Sequence, residues 1–154
     1  ETILRQLTED LLLDLGYPDA AVEVDILRSH SRAHPLEKLD TVLTQDEVHS
    51  LQQRVVEVQV DESISQYIVL LVQATRNDPR LKLGVSPRGS LMLCRAAQAA
   101  AFSDGRDFVL PDDIQRLAPY VLGHRIIMTP KSRYDGTTKT QVIRDVLKQV
   151  KVPT

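Results

Sequence analysis

The amino-acid sequence predicts an all-α protein: a small helical bundle that leaves room for one short extended pair. Three observations carry this. The core must be aliphatic, because 42% of residues are hydrophobic but only 4% are aromatic, with no Trp and two Phe. Leu, Val, Ile and Ala packing suits helices lying close together better than aromatic-rich strands. Apolar residues recur at three- and four-residue spacing in one segment after another. Helix-start chemistry punctuates the chain at Thr44, Asp61, Ser86 and Pro111. With 154 residues the chain is one domain's worth, enough to bury roughly two-thirds of its unfolded surface.

Residues 1–15 carry Ile3, Leu4, Leu7, Leu11, Leu12 and Leu15 at helical spacing, and Gly16-Tyr17-Pro18 breaks the pattern. A second helix is expected from near Asp19, with Val22, Ile26 and Leu27 on one face, ending before Pro35. Thr44-Gln45-Asp46-Glu47 is a capping box, in which the Thr hydroxyl accepts from the third helical N–H and the Glu reaches back. Its helix runs through Val48, Leu51 and Val55, and the alternation over Val56–Val60 allows a short extended piece. Asp61 caps the next helix, whose face is Ile64, Tyr67, Ile68, Leu71 and Val72 and whose end precedes Asn77-Asp78-Pro79.

Residues 86–103, SPRGSLMLCRAAQAAAFS, are hydrophobic almost all round, which marks a central helix contacted on most sides. The alanines at 96, 97, 99, 100 and 101 let neighbours approach, and Gly105 supplies a stop. The next helix begins at Pro111, with Asp112 and Asp113 complementing the positive end of its dipole. Pro119 should bend or restart it. An apolar stretch at His124–Met128, a loop at Thr129–Gly136 and an amphipathic helix over about 138–150 complete the chain.

The composition excludes several functions. A formal net charge of −2 does not provide the basic field that nucleic acid or an anionic membrane demands. No apolar run approaches the roughly 20 residues of a membrane span, and ETILRQLTED is too polar for a secretory signal. One Cys excludes an internal disulfide and fits a reducing compartment. A cytoplasmic location is the expectation. No G-x-x-x-x-G-K-[ST], G-x-S-x-G, H-E-x-x-H or Cys-x-x-Cys occurs. His30 and His34 have the spacing of a helical metal pair, but they sit at a fraying end beside Pro35 without a third ligand. Cys94, inside the apolar helix, is expected to be an inert buried thiol.

One helix start is unusual. Ser86-Pro87 is good N-cap and first-turn chemistry. Arg88 then meets the positive end of the macrodipole, a cost of a few tenths to ~1 kcal/mol. Gly89 adds roughly 1 kcal/mol relative to Ala. A helix N-terminus with an Arg is a good phosphate receptor, through backbone N–H groups and a guanidinium fork. The bland alternative pairs Arg88 with a surface carboxylate and lets another helix pass at Gly89; pattern alone leans slightly to it.

The combination of SPRGSL with GRDFVLPDDI and VLGHRI, within residues 83–126, resembles the helical lid of MoxR-type AAA+ proteins. GYPD at 16–19, HPLEKL at 34–39 and the helix pair at 44–76 are similar too, so the likeness covers about residues 12–154. Magnesium-chelatase lids share the late PDDI…HR element more loosely. The resemblance implies a lid over residues 12–154, with residues 1–11 an N-terminal helix left from an ATPase core. It places Arg88 at the sensor 2 position facing the γ-phosphate of ATP, with Ser86 and Pro87 setting its helix start and Tyr17 and Pro18 bordering the adenine. It further implies ATP and Mg²⁺ in the intact protein, the protein's own P-loop core and neighbouring subunits of a hexameric ring as partners, and a von Willebrand factor A domain protein alongside. Chaperone-like remodelling or metal-cofactor insertion would be the work.

Walker A, Walker B, sensor 1 and the arginine finger have no counterpart here, so this chain by itself is expected neither to hold Mg²⁺–ATP nor to hydrolyse it. ETILRQL resembles the helix before a Walker A loop yet runs directly into LLLDLGYPD, which predicts a seam near residues 8–11. The competing expectation is a stand-alone helical protein-interaction module, with Arg88 incidental.

Overall fold

A computed structural model describes residues 18–30 and 40–153. The predicted helix over residues 1–15, its break at Gly16-Tyr17, and His34 with its neighbours lie outside the described residues. Those described form seven helices and one two-stranded antiparallel sheet: α1 (Ala20–His30), α2 (Gln45–Glu57), α3 (Glu62–Asn77), β1 (Leu81–Leu83), α4 (Pro87–Ser103), α5 (Pro111–Gly123), β2 (Ile127–Met128), α6 (Pro130–Tyr134) and α7 (Lys139–Gln149). The all-α expectation holds.

The predicted starts are where the local chemistry puts them. The Thr44 backbone N–H donates to Glu47 Oε2 at 2.7 Å and Glu47 N–H to Thr44 Oγ1 at 3.3 Å, which closes the capping box. The Thr44 N–H and the Thr44 hydroxyl, which donates to the same oxygen at 2.8 Å, hold the Glu47 carboxyl below its ordinary range. Asp61 accepts from Ser63 N–H at 2.8 Å. α4 ends in a Schellman motif: Gly105 takes φ 77°, its N–H reaches Phe102 O at 3.0 Å, and Arg106 N–H reaches Ala101 O at 2.9 Å.

The core is aliphatic, as predicted. Ile64, Ile68, Leu71 and Val72 of α3 meet Leu93, Ala97, Ala100 and Ala101 of α4, Ile114 and Leu122 of α5, and Val142, Ile143 and Val146 of α7 in one cluster. Each large side chain fully buried there contributes about 1.5–3 kcal/mol. α4 packs on α2, α3 and α5, most extensively on α5, where Ala97, Ala100 and Ala101 bury no bulk of their own. Only a narrow edge (Pro87, Arg88, Leu91 and Arg95) is exposed on α4. The early helices differ: α2 buries no residue, and Val22, Val24, Ile26 and Leu27 of α1 are exposed.

Three expectations are corrected. The short extended piece allowed at Val56–Val60 is cut back by α2, which continues to Glu57, to the bridge that Gln59 makes with Phe108, and the extended pair lies elsewhere. It forms between β1 and β2, with Leu81 opposite Met128 and Leu83 opposite Ile127. Of the bend or restart expected at Pro119, the restart does not occur, since α5 runs through it. The ring removes one backbone bond, while burial of Leu117, Ala118 and Leu122 on either side holds the helix together. The Thr129–Gly136 loop contains α6, capped by Thr129 through the Ser132 N–H at 3.3 Å and closed by Gly136 at φ 73°.

Candidate functional site

The start of α4 is assembled on the end of α3. Gly84 presses against that end so closely that a Cβ there would lie 2.6 Å from Arg76 Cα and 2.8 Å from the Thr75 carbonyl carbon. Only glycine permits that approach. Val85 is buried, and its two backbone polar groups are both satisfied by α3. Its N–H donates to Thr75 Oγ1 at 3.0 Å, and its carbonyl accepts from Arg76 Nε at 2.8 Å. The Thr75 hydroxyl, itself fully buried, donates to Val72 O at 2.6 Å. Residues 84–86 are therefore riveted before α4 begins.

Ser86 sits in extended conformation, φ −77° and ψ 164°, as the N-cap, and Pro87 follows at the first helical position. The Ser86 hydroxyl makes no capping bond, and the first turn contains no acid. No acid of that turn offsets the positive end of this helix. Arg88 is exposed there and makes no hydrogen bond or ion pair with a described residue. The surface carboxylate that the bland reading assigns to it is absent among the described residues. Gly89, by contrast, has a packing reason. A Cβ would lie 2.2 Å from Val85 Cγ1, so the buried Val85 side chain fills the place of a side chain there, while Arg125 Cδ at 3.5 Å and Leu122 Cδ2 at 3.7 Å stand at ordinary contact distance.

The other arginines show what a satisfied one looks like. Arg106 forms a fork on Asp113, Nη1 to Oδ2 and Nη2 to Oδ1, both at 2.8 Å. Asp113 also accepts the Leu110 N–H at 2.9 Å, which caps α5. Arg80 bridges Asp78 at 2.8 Å and Asp145 at 2.7 Å, and its hydrogen bonds hold the Asp78 carboxyl below the ordinary range. These pairs are architecture: they join α3 to α7 and the α4–α5 connection to α5.

Of the predicted site residues, Ser86 and Arg88 come together at one helix start, Pro18 is exposed near the beginning of the described residues, and Tyr17 lies outside them. The structure adds Thr75, Arg76 and Gly84 as supports. The His30 side chain and His34 fall outside what is described, and no group of three or more His, Cys, Asp or Glu suited to a metal exists among the described residues. Cys94 is half-buried, and burial pushes its thiol up, away from the reactive thiolate. No described helix is long and apolar enough to cross a membrane. An open groove between α2 and the α4–α5 connection is lined by Leu51, Arg54, Val58, Phe102 and Arg106. There the Arg54 guanidinium lies 4.9 Å from the Phe102 ring centre.

Residues 73–146, which hold Thr75, Arg76, Gly84, Ser86 and Arg88, match the AAA lid domain family. The chain is 44% identical to the Bacillus subtilis protein YeaC over 141 residues, covering 92% of this chain and 44% of that protein. It is 31% identical to the chaperone MoxR1 of Mycobacterium tuberculosis over 150 residues, covering 92% of this chain and 39% of that protein. A crystal structure of a candidate ATPase from Cytophaga hutchinsonii superimposes with a TM-score of 0.75 at 28% identity, over 90% of this chain and 45% of that one. The chain thus spans less than half the length of the relatives it matches.

Proposed function

We propose that this chain, which belongs to the MoxR-type AAA+ proteins and carries their lid domain, senses bound nucleotide through Arg88 in a longer ATPase. The observation that carries the proposal is the start of α4: an exposed arginine without a partner among the described residues, on a helix N-terminus with no side-chain cap and no acid in its first turn. That chemistry fits a phosphate. A guanidinium fork there would stabilise charge on the γ-phosphate, and the uncapped helix end would add its dipole. Ser86 and Pro87 set the geometry, and Tyr17 and Pro18 border the adenine at the hinge about which the lid turns.

The described residues offer no carboxylate cluster for Mg²⁺, and the sequence has no phosphate-cradling loop. Metal and attacking water would be held by a P-loop core, and residues 12–154 act as its lid, with 1–11 belonging to that core. The reading extends to a cytoplasmic hexameric ring, a von Willebrand factor A domain partner, and chaperone-like remodelling or insertion of a metal cofactor. It assigns no role in nucleic-acid binding.

Arg88→Ala in the intact ATPase tests it. Steady-state turnover should fall roughly 100-fold or more, as for loss of one preorganised donor at developing charge. The melting temperature should hardly change. Arg88→Lys should rescue only in part, since an ammonium keeps the charge and loses the fork. Wild-type turnover in a stable Arg88→Ala protein would remove the sensor assignment. A helical interaction module would then lead, with the groove beside Arg54 and Phe102 as its binding face.

A further inference from the structure

We infer that Arg76 is a positioning residue that sets where Arg88 stands; this rests on the sensor reading of Arg88. Arg76 lies in the last turn of α3, where a cation ordinarily folds back on its own helix's free carbonyls. Instead its Nε donates forward to Val85 O at 2.8 Å, nine residues on, and it makes no ion pair with a described carboxylate. Val85 precedes the N-cap of α4 by one residue and Arg88 by three. Thr75 holds the other side of the same peptide through the Val85 N–H. With Gly84 wedged against the Arg76 backbone, the lead-in has no slack, and the direction of α4's first turn follows from the end of α3.

The two residues divide the task. Thr75 is fully buried, so its loss would damage the core. Arg76 is exposed, so its loss would loosen the lead-in and leave the core intact. The Arg76 bond is thus the adjustable half of the clamp. It ties the sensor arginine to the C-terminal end of α3, the same end that Asp78 and Arg80 tie to Asp145 of α7.

Arg76→Met keeps the stem and removes the donor. In the 154-residue chain, amide hydrogen exchange at Val85, Gly89 and Ser90 should accelerate about tenfold, the yield of one lost hydrogen bond. Exchange at Leu71 and Val72 in α3 should stay unchanged. Unaltered exchange at the α4 start would overturn the inference whatever Arg88 does. In the intact ATPase, Arg76→Met should lower turnover about tenfold through misplacement of the fork, and Arg76→Lys should recover part of it. The same substitution should have no further effect in an Arg88→Ala background. Additive losses would overturn the coupling, because a merely structural defect weakens both backgrounds alike. Full turnover in Arg88→Ala alone would instead sink the sensor reading and the coupling with it, while exchange still decides whether Arg76 sets the helix start.

Discussion

Both α4 and α5 enter on an extended N-cap followed by Pro, pack along each other, and share one core. Their first turns are finished in opposite ways. At α5, Asp113 takes the N-cap N–H of Leu110 and both forks of Arg106, and Asp112 adds a second negative charge at the dipole's positive end. At α4 the N-cap hydroxyl caps nothing, no acid is present, and a cation stands where an anion belongs. A helix start built for stability looks like the first. The second is rigidly held from behind by Thr75, Arg76 and Gly84, yet electrostatically open in front. Rigid backing with an open face suits a group meant to meet a ligand.

Breaking the closed start should have the largest effect on stability. Asp113→Ala leaves the Leu110 N–H and the Arg106 guanidinium without their shared partner. The side chains concerned are only 5% and 22% exposed for Asp113 and Arg106. Loss of about 2–4 kcal/mol is expected, seen as a lower denaturation midpoint of the 154-residue chain in urea. Arg88→Ala should shift the same midpoint by well under a third as much. Equal shifts would end the contrast between the two starts.

The backing of the open start comes next. Gly84→Ala places a methyl against α3 backbone that cannot rotate away, so a loss of about 2 kcal/mol or more is expected. Gly89→Ala meets the Val85 side chain instead and gains roughly 1 kcal/mol of helix propensity, so it should cost less. Thermal melts of both variants rank them; a milder Gly84→Ala would show the lead-in to be looser than its packing implies.

A weaker effect is expected in acid. Arg80 holds the Asp78 carboxyl below its ordinary range, so this pair contributes stability that is present above about pH 4, the unfolded value. The contribution fades as pH falls through the lower folded value. Asp78→Asn should therefore flatten that part of the stability–pH curve. Arg88→Ala should leave the curve's shape alone, since no acid faces it within the first turn of α4.

Much of the fold is legible because its signals are local. Thr44 with Glu47, Asp61 with Ser63, and Pro87 and Pro111 at their first turns each act within four residues. What was not legible depends on distant partners. β1 needs Met128 and Ile127 beside it, some 45 residues on, and α5 keeps Pro119 because the core already holds Leu117 and Leu122. At the site, the odd pairing of Arg88 with Gly89 was visible in the sequence. Its two halves have different causes: Gly89 answers to the Val85 side chain packed against it, and Arg88 answers to nothing among the described residues. Thr75 and Arg76 carried no local signal. A glycine two residues before a Ser-Pro start was the available hint.

The smallest effect is the sharpest test of the open start. Arg88→Glu replaces a cation at the second helical position with an anion and leaves packing untouched, because the side chain is exposed. In the 154-residue chain it should stabilise by about 0.5–1 kcal/mol, the size of a first-turn charge effect. That corresponds to a melting temperature roughly 2 °C higher for a domain this long. The gain should shrink in molar salt, as an exposed interaction is screened within ~3 Å there. Asp112→Lys at the matching position of α5 should lower the melting temperature by a similar amount. The intact ATPase should respond the other way to Arg88→Glu: a carboxylate facing a phosphate repels it, so turnover should fall further than in Arg88→Ala. One substitution that stabilises the lid and abolishes its activity would show that the cation is kept at a cost in stability. A variant that loses stability instead would mean that Arg88 already has a partner in the folded chain.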